Sequence, residues 1–318
     1  MPALLAVAVV GAGIHGSRYA EHLLRGDVPG ARLAGVCRRS AADSALWTSR
    51  GVRFEAYPEA LFADPAVDAF VIASPNALHE EHAKAALGRG KPVLLEKPVA
   101  ADLAGCARIR EAAARAGVPV LVGHTFRHHP VVRGFREEAR RLAPLRWLSL
   151  SQRHERMPME WQLRGRGSGA LLNTGVHMAD LARWVLGEDP GEPQGAILDA
   201  APGESEGTAA ALLRSPSGTM VSLEVSIVAA ARRGHLEARG DGGVVEGDFR
   251  LHELSRREGW TRVPLPVPPL VPGLPPLLQD FVRVVGGGSP GDSATLEDGI
   301  AAVEIVERIR ASVAHSPR

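Results

Sequence analysis

Cysteine is scarce in this chain: 318 residues include only Cys37 and Cys106. Two thiols cannot build a disulfide framework or a cysteine metal cage, and their scarcity suits a reducing, cytoplasmic setting. An excess of one charge is lacking too. Lys and Arg number 37 against 36 Asp and Glu, a formal net charge of +1, so neither a nucleic-acid groove nor a membrane-surface helix is encoded. No apolar run approaches the roughly 20 residues that a bilayer-spanning helix needs. The run Ala3–Val10 resembles a signal-peptide core, but it has no basic leader and runs into Gly11-Ala12-Gly13, which argues against secretion. Ser168 lies among glycines yet outside a Gly-x-Ser-x-Gly elbow, so it is not read as a hydrolase nucleophile. His79 and His82 flank Glu80 and Glu81, but that spacing is not the His-Glu-x-x-His of a zinc enzyme. No metal site is expected, and no internal repeat is found.

An apolar content of 45% with 23% charged residues is that of an ordinary globular protein, and the length predicts about two domains. The first half alternates strands and helices. Leu4–Val10 is a continuous apolar run, the pattern of a strand covered on both faces. Gly11-Ala12-Gly13-Ile14-His15-Gly16 follows, and Ser17–Leu24 reads as a helix. This is Gly-x-Gly-x-x-Gly after a strand and opening a helix, the setting in which backbone N–H groups meet a pyrophosphate at a helix N-terminus. Arg32–Cys37 is the next strand. An NAD site places an acid about 20 residues past the glycine turn to bind the ribose 2′-hydroxyl. Here the chain offers Cys37-Arg38-Arg39-Ser40 instead. Arginines beside a 2′-phosphate make charge-assisted hydrogen bonds, so the missing acid favours NADP over NAD; the alternative is two surface arginines at a helix start.

Strands at Val52–Ala56 and Ala69–Ile72 and a helix near Glu59–Ala63 continue the alternation. Ser74-Pro75-Asn76 ends the second of these strands, and Ala77–Leu87 is the helix after it. Asn76 either caps that helix or lines the crevice beside the coenzyme; His79 and His82 are exposed or supporting groups. The organising stretch is Pro92-Val93-Leu94-Leu95-Glu96-Lys97-Pro98. A buried strand ends in a carboxylate and an ammonium, at the carboxyl edge where open α/β sheets hold ligands. Pro98 keeps Lys97 extended and able to project from the strand end. Glu96 either positions Lys97 or forms a plain surface pair. A helix over Leu103–Ala116 and a strand at Val120–Val122 close the half.

In the second half, Val131–Arg141 reads as a surface helix and Arg146–Arg153 as a strand. His124, His128 and His129 are loop polars near the cleft. Trp161 either roofs the substrate or packs in the core. On the helix that begins near Asn173, His177 follows four residues later and Asp180 three beyond, which places all three near one face. Residues 195–250 alternate short strands with glycine-rich turns, an antiparallel sheet. The proline-dense Val263–Pro276 is a loop or extended arm, and Leu277–Val285 and Leu296–Ser312 are closing helices.

Gly11 to Gly16, Ser74-Pro75-Asn76 and Glu96-Lys97-Pro98, in this order and spacing, resemble the glucose–fructose oxidoreductase/inositol dehydrogenase (Gfo/Idh/MocA) family. The stretch from Gly123 to Pro130, with Arg127, is similar to the family's domain-crossing segment, and Gly169 to Asp180 to its second signature. The resemblance implies an α/β protein: a Rossmann domain with a doubly wound parallel sheet over 1–122, then an α/β domain over 123–318. The second domain's large, open, mostly antiparallel sheet would mediate homodimer or homotetramer contacts, and the C-terminal helices could pack back on the first domain. It further implies that Gly11, Gly13, Ile14, His15, Gly16, Arg38, Arg39, Ser40, Ser74, Pro75, Asn76, His79, Glu96 and Arg127 surround the coenzyme. Lys97 would contact substrate and nicotinamide ribose, His177 would be the acid/base, and Asn173 and Trp161 would meet the substrate, a sugar or polyol. Asn173 stands where many members carry an aspartate; an amide exchanges no proton at neutral pH and can only orient. The implied activity is hydride transfer between nicotinamide and a secondary alcohol or ketone. The alternatives are a non-catalytic dinucleotide-binding regulator of the same fold and an NAD-dependent glycoside hydrolase.

Overall fold

Short apolar runs, most of them stopped within three residues by glycine or proline, generate the first sheet. A computed structural model of the chain describes residues 3–40, 44–155, 162–165, 167–201 and 203–314. In chain order it contains β1 (Leu5–Val10), α1 (Gly16–Arg25), β2 (Ala31–Cys37), α2 (Ser44–Thr48), β3 (Phe54–Glu55), α3 (Glu59–Phe62) and β4 (Ala69–Ile72). Next come α4 (His79–Leu87), β5 (Val93–Leu95), α5 (Leu103–Ala116), β6 (Val120–Val122), α6 (Pro130–Arg141), β7 (Leu145–Glu155) and α7 (Val176–Leu186). The remainder is β8 (Glu192–Asp199), β9 (Thr208–Arg214), β10 (Met220–Ala229), β11 (Arg233–Gly240), β12 (Gly243–Asp248), β13 (Glu253–Glu258), β14 (Thr261–Pro264), α8 (Leu274–Val285), β15 (Ala294–Thr295) and α9 (Leu296–Ala314).

The chain divides into two units, Met1–Thr125 with Pro272–Ile300 and Phe126–Val271 with Ala301–Arg318. The break therefore falls just past 122, and one C-terminal stretch returns to the first unit. The reason is burial. Leu274, Leu277, Leu278 and Phe281 of α8 join the core formed by Val7, Val9, Tyr19, Trp47 and Val71. At about 1.5–3 kcal/mol for each fully buried side chain, that contribution holds the segment in place.

The first unit's sheet has the order β15-β6-β5-β4-β1-β2-β3. Six strands are parallel, and β15 pairs antiparallel with β6. The order 3-2-1-4-5-6 is that of a doubly wound dinucleotide-binding sheet, whose strand order reverses between β1 and β4. Pro275 and Pro276 sit inside the first turn of α8, where a missing N–H goes unused. The proline-dense arm therefore ends at Gly273 rather than at Pro276.

The second unit is built on an eight-stranded sheet, order β14-β13-β12-β11-β7-β10-β9-β8. Every pairing is antiparallel except that of β7 with β10. Leu148, Leu150, Val221, Leu223, Leu236, Ala238 and Val245 are buried, while the residues alternating with them are polar or partly exposed. One face thus belongs to the core and the other stays open. As the helical spacing of its apolar and charged residues predicts, α6 is a surface helix that buries Val131, Val132, Phe135 and Ala139 and leaves Arg133, Glu137, Arg140 and Arg141 exposed. In α7 nine of eleven residues are buried, the mark of a helix covered on all sides. Among the described residues no helix is long and apolar enough to cross a membrane.

Candidate active site

Three strand ends of the first unit converge at its switch point. Gly11 begins the turn after β1 with φ +94°, and a Cβ there would lie 2.4 Å from the Ser74 nitrogen. Only glycine adopts this conformation without strain, and only glycine admits the close approach of the β4 end. At Gly13 the nearest heavy atom to an added Cβ is 4.0 Å away, so the middle of the turn faces open space. The N–H groups of Gly11 and Ala12 bond Cys37 O at 2.9 Å. This ties the turn to the β2 end, where Arg38 is half-buried and Arg39 and Ser40 are exposed. Ile14 is 75% exposed. The turn, with the N-terminus of α1 behind it, fits a dinucleotide pyrophosphate in shape and in the sign of its partial charges.

The β5 end supplies Glu96, which is buried. Its Oε1 accepts from the Tyr19 hydroxyl at 2.6 Å and from His15 Nε2 at 2.8 Å, and its Oε2 from the Lys97 N–H at 3.1 Å. Burial alone would raise the carboxyl pKa, but the His15 imidazole, the Lys97 ammonium and the Tyr19 hydroxyl bring it down to about 2. Glu96 is therefore a buried anion that joins the glycine turn to the strand end, not a surface partner. A Cβ at Gly123 would come within 3.0 Å of this carboxylate, so the chain leaving β6 must pass it without a side chain. Lys97 is half-buried, and the Lys97–Pro98 peptide is cis. Burial lowers the lysine's pKa, opposed by Glu96.

At the β4 end, α4 opens through a 3-10 turn over Asn76–Leu78, so Leu78 rather than Asn76 occupies its N-cap position. Pro75 is exposed and Asn76 half-buried. His79 and His82 are both buried, not exposed. His79, only 1% exposed, sets Nδ1 2.7 Å from Pro98 O and Nε2 2.8 Å from Ser74 O. Both ring nitrogens thus face backbone carbonyls, so His79 ties together the two strand-end turns. His82 Nδ1 lies 3.0 Å from Ser74 Oγ.

The second unit carries the other named residues. Ahead of α7, Leu171–Gly175 forms a π-turn, a wider turn that recurs at functional sites. It rotates Asn173 relative to His177, so the simple spacing of four does not hold across it; His177, Asp180 and Trp184 still share a stripe of α7. Asn173 Nδ2 donates to Gly169 O at 2.8 Å and Gln162 O at 3.3 Å. A carboxylate here would face two carbonyl oxygens, and an amide satisfies them. Glu206 anchors the start of this segment: Oε1 accepts from the Leu171 N–H at 3.1 Å and from Arg310 at 2.7 Å. His177 is buried, with the Phe126 ring edge-on at 4.9 Å. Arg127 grips Asp180: Nε donates to Oδ2 at 2.9 Å and a terminal nitrogen to Oδ1 at 2.5 Å. Burial of both partners makes this pairing the low-energy one. Trp161 lies outside the described residues.

Of the histidines read as loop polars, His124 and His128 are buried and His129 is half-buried. His129 caps α6, its Nδ1 accepting from the Val131 N–H at 3.2 Å. Burial, then His252 and Arg250, depress its pKa to about 4. A histidine whose folded pKa lies below its unfolded value stabilises the fold fully above about pH 6.5 and loses that contribution as pH falls toward 4. H129N keeps a capping acceptor but does not titrate. Its stability, measured by denaturant unfolding, should therefore fall less between pH 6.5 and 4, by on the order of 2 kcal/mol. A parallel acid limb in both proteins would remove His129 from the acid response.

Tyr19 and Glu206 were not signalled by spacing, because each acts on a group 77 or 35 residues away. Among the described residues no group of three or more His, Cys, Asp and Glu could hold a metal ion.

A doubly wound sheet with a glycine turn at its switch point defines a dinucleotide-binding protein. Residues 5–124 match the oxidoreductase family with NAD-binding Rossmann fold, and residues 138–246 match the GFO/IDH/MocA C-terminal domain. The chain belongs to the GFO/IDH/MocA family of oxidoreductases. It is 30% identical over 329 aligned positions to inositol 2-dehydrogenase 2 of Saccharopolyspora erythraea, covering 97% of this chain and 93% of that protein. It is also 30% identical over 258 positions to 1,5-anhydro-D-fructose reductase of Ensifer adhaerens, covering 76% of each. The crystal structure of aldose-aldose oxidoreductase from Caulobacter crescentus, complexed with glycerol, shares the fold. It superposes with a TM-score of 0.85 at 21% identity over 98% of both chains.

Proposed function

We propose that the protein transfers a hydride reversibly between NADP and a carbinol carbon of a sugar, polyol or keto-sugar. The observation that supports this most is the convergence of the glycine turn, Ser74 and Glu96-Lys97 at the carboxyl ends of β1, β4 and β5. The names of the relatives, an inositol dehydrogenase and an anhydrofructose reductase, support the substrate class. When bound, the coenzyme supplies or accepts the hydride. Lys97 donates to the carbinol oxygen as negative charge develops there. Its lowered pKa eases return of a proton. His177 takes the hydroxyl proton in oxidation and gives it back in reduction. Asn173 orients by hydrogen bonding alone, and Glu96 fixes the backbone of Lys97. Trp161 is kept as a substrate contact.

Arg38 and Arg39, with Ser40, are assigned to the 2′-phosphate. R38D should weaken NADPH about 10- to 100-fold more than NADH, the worth of one charge-assisted hydrogen bond, in a binding titration of both coenzymes. Equal losses would show that the 2′-phosphate is not read there. The open face of the second unit's sheet, with Ile197 and Leu212 exposed, is assigned to homodimer or homotetramer contacts. Free thiols at Cys37 and Cys106 accord with a cytoplasmic enzyme. The activity itself is tested by following NADPH with a panel of ketoses and keto-sugars, and NADP with inositols and aldoses. Stoichiometric coenzyme turnover with one class supports the assignment. Tight coenzyme binding without turnover across the panel, or glycoside cleavage without net coenzyme change, would overturn it.

A further inference from the structure

The π-turn that carries Asn173 is held at its start by a buried carboxylate. Glu206, just ahead of β9, is 7% exposed. Its Oε1 accepts from a terminal nitrogen of Arg310 at 2.7 Å and from the Leu171 N–H at 3.1 Å. The same Arg310 nitrogen donates to Ser168 O at 2.9 Å, while the other terminal nitrogen donates to Glu307 at 2.8 Å. The main chain adds a further tie, from the Ala170 N–H to Glu206 O at 2.7 Å. Residues 168–171 are thus fastened on both sides of Gly169. The carboxylate lies so closely over that residue that an added Cβ would meet Oε1 at 2.4 Å. Gly169 O in turn accepts from the Asn173 N–H at 3.0 Å and from its Nδ2 at 2.8 Å. The carbonyl that aims Asn173 therefore belongs to the stretch that Glu206 fixes. All of these groups lie in the second unit.

Packing does not supply this aim. Behind the turn, Leu171, Gly175, Ala209, Ala211, Val306 and Ile309 line a small apolar void, and apolar contact is non-directional. Hydrogen bonds to a buried carboxylate are directional and strong. Resting on the assignment of Asn173 to the substrate, we propose that Glu206, with Arg310 as its counter-ion, is the positioning residue for the Asn173 amide. It acts on the substrate only through the turn: moving residues 169–171 moves the amide, and a misplacement of about 1 Å can cost about 10²-fold in rate.

The experiment is a double-mutant cycle on the full chain, read by coenzyme-linked rates with the best substrate of the panel above and by NADPH titration. E206A should lower kcat/KM about 10- to 100-fold. It should leave the NADPH dissociation constant within about twofold, since the coenzyme is assigned to the first unit. In an N173A background E206A should lower the rate by less than about twofold, because the group through which it acts is already gone. E206Q, which keeps an oxygen before the Leu171 N–H, should recover most of the loss. Should E206A not fold, R310M goes through the same cycle. It strips the counter-ion, and its loss of about three- to tenfold should likewise vanish without Asn173. Equal losses with and without Asn173, or an E206Q as slow as E206A, overturn the positioning role and leave the substrate assignment standing. A wild-type rate for N173A overturns that assignment, and absence of turnover across the panel overturns the proposed function; either takes this proposal with it.

Discussion

K97A should lower turnover about 10²- to 10³-fold, the effect of removing one positioned donor to a developing oxyanion. The coenzyme dissociation constant should change by less than about threefold, under 0.7 kcal/mol. The two readouts separate because they draw on different parts of the molecule. The glycine turn and the Arg38-Arg39 pair, to which the proposal assigns the phosphates, lie at the ends of β1 and β2, away from the side chain that the substitution removes. Folding should survive as well. Glu96 would lose the nearby positive charge of Lys97 but keep the Tyr19 hydroxyl, His15 and the backbone N–H of residue 97. The buried carboxylate therefore remains satisfied. Steady-state rates with the best substrate, together with a binding titration, check both halves. A near wild-type rate would remove the lysine from the chemistry, whereas a parallel collapse of rate and coenzyme affinity would assign it to binding.

Much of the first unit was legible in the sequence because parallel strands buried on both faces leave short, uninterrupted apolar runs. Leu103–Ala116 and Val120–Val122 match their elements residue for residue, since Asp102 caps the helix and Gly117 stops it. The glycine turn was readable for the same local reason. What escaped was set by contacts distant in sequence. Nothing around Glu96 announces that Tyr19 and His15 will close on it from 77 and 81 residues away, so a choice between buried anchor and surface pair stayed open. Composition also misled. Two prolines argued against a helix before residue 277, yet prolines belong in a first turn. The π-turn at Leu171–Gly175 has no periodic signature either, because it inserts one residue into an otherwise helical pattern. And one parallel pair, β7 with β10, hides within a sheet whose turns all read as antiparallel.

The second large effect concerns stability. D180A should lower the thermal midpoint by about 10 °C, the consequence of losing roughly 3–5 kcal/mol. Side-chain exposures of 5% for Arg127 and 1% for Asp180 leave the guanidinium no water to replace its partner. R127A should cost about as much by removing the two-pronged partner of a buried carboxylate. The pair itself need not be a net stabiliser, since desolvating two charges offsets much of their attraction. R127M/D180L, which fills the space with apolar groups, should therefore recover a large part of the loss, and a double-mutant cycle should show strong coupling. Additive losses in the double variant would mean that the two side chains act independently. What the apolar pair cannot restore is the aim of α7. Asp180 lies one turn beyond His177, and Arg127 follows directly after Phe126, whose ring abuts that histidine. A refolded double variant with a wild-type midpoint but depressed turnover would mark the ion pair as an orienting device for His177. Full activity in that variant would show that packing alone sets the helix.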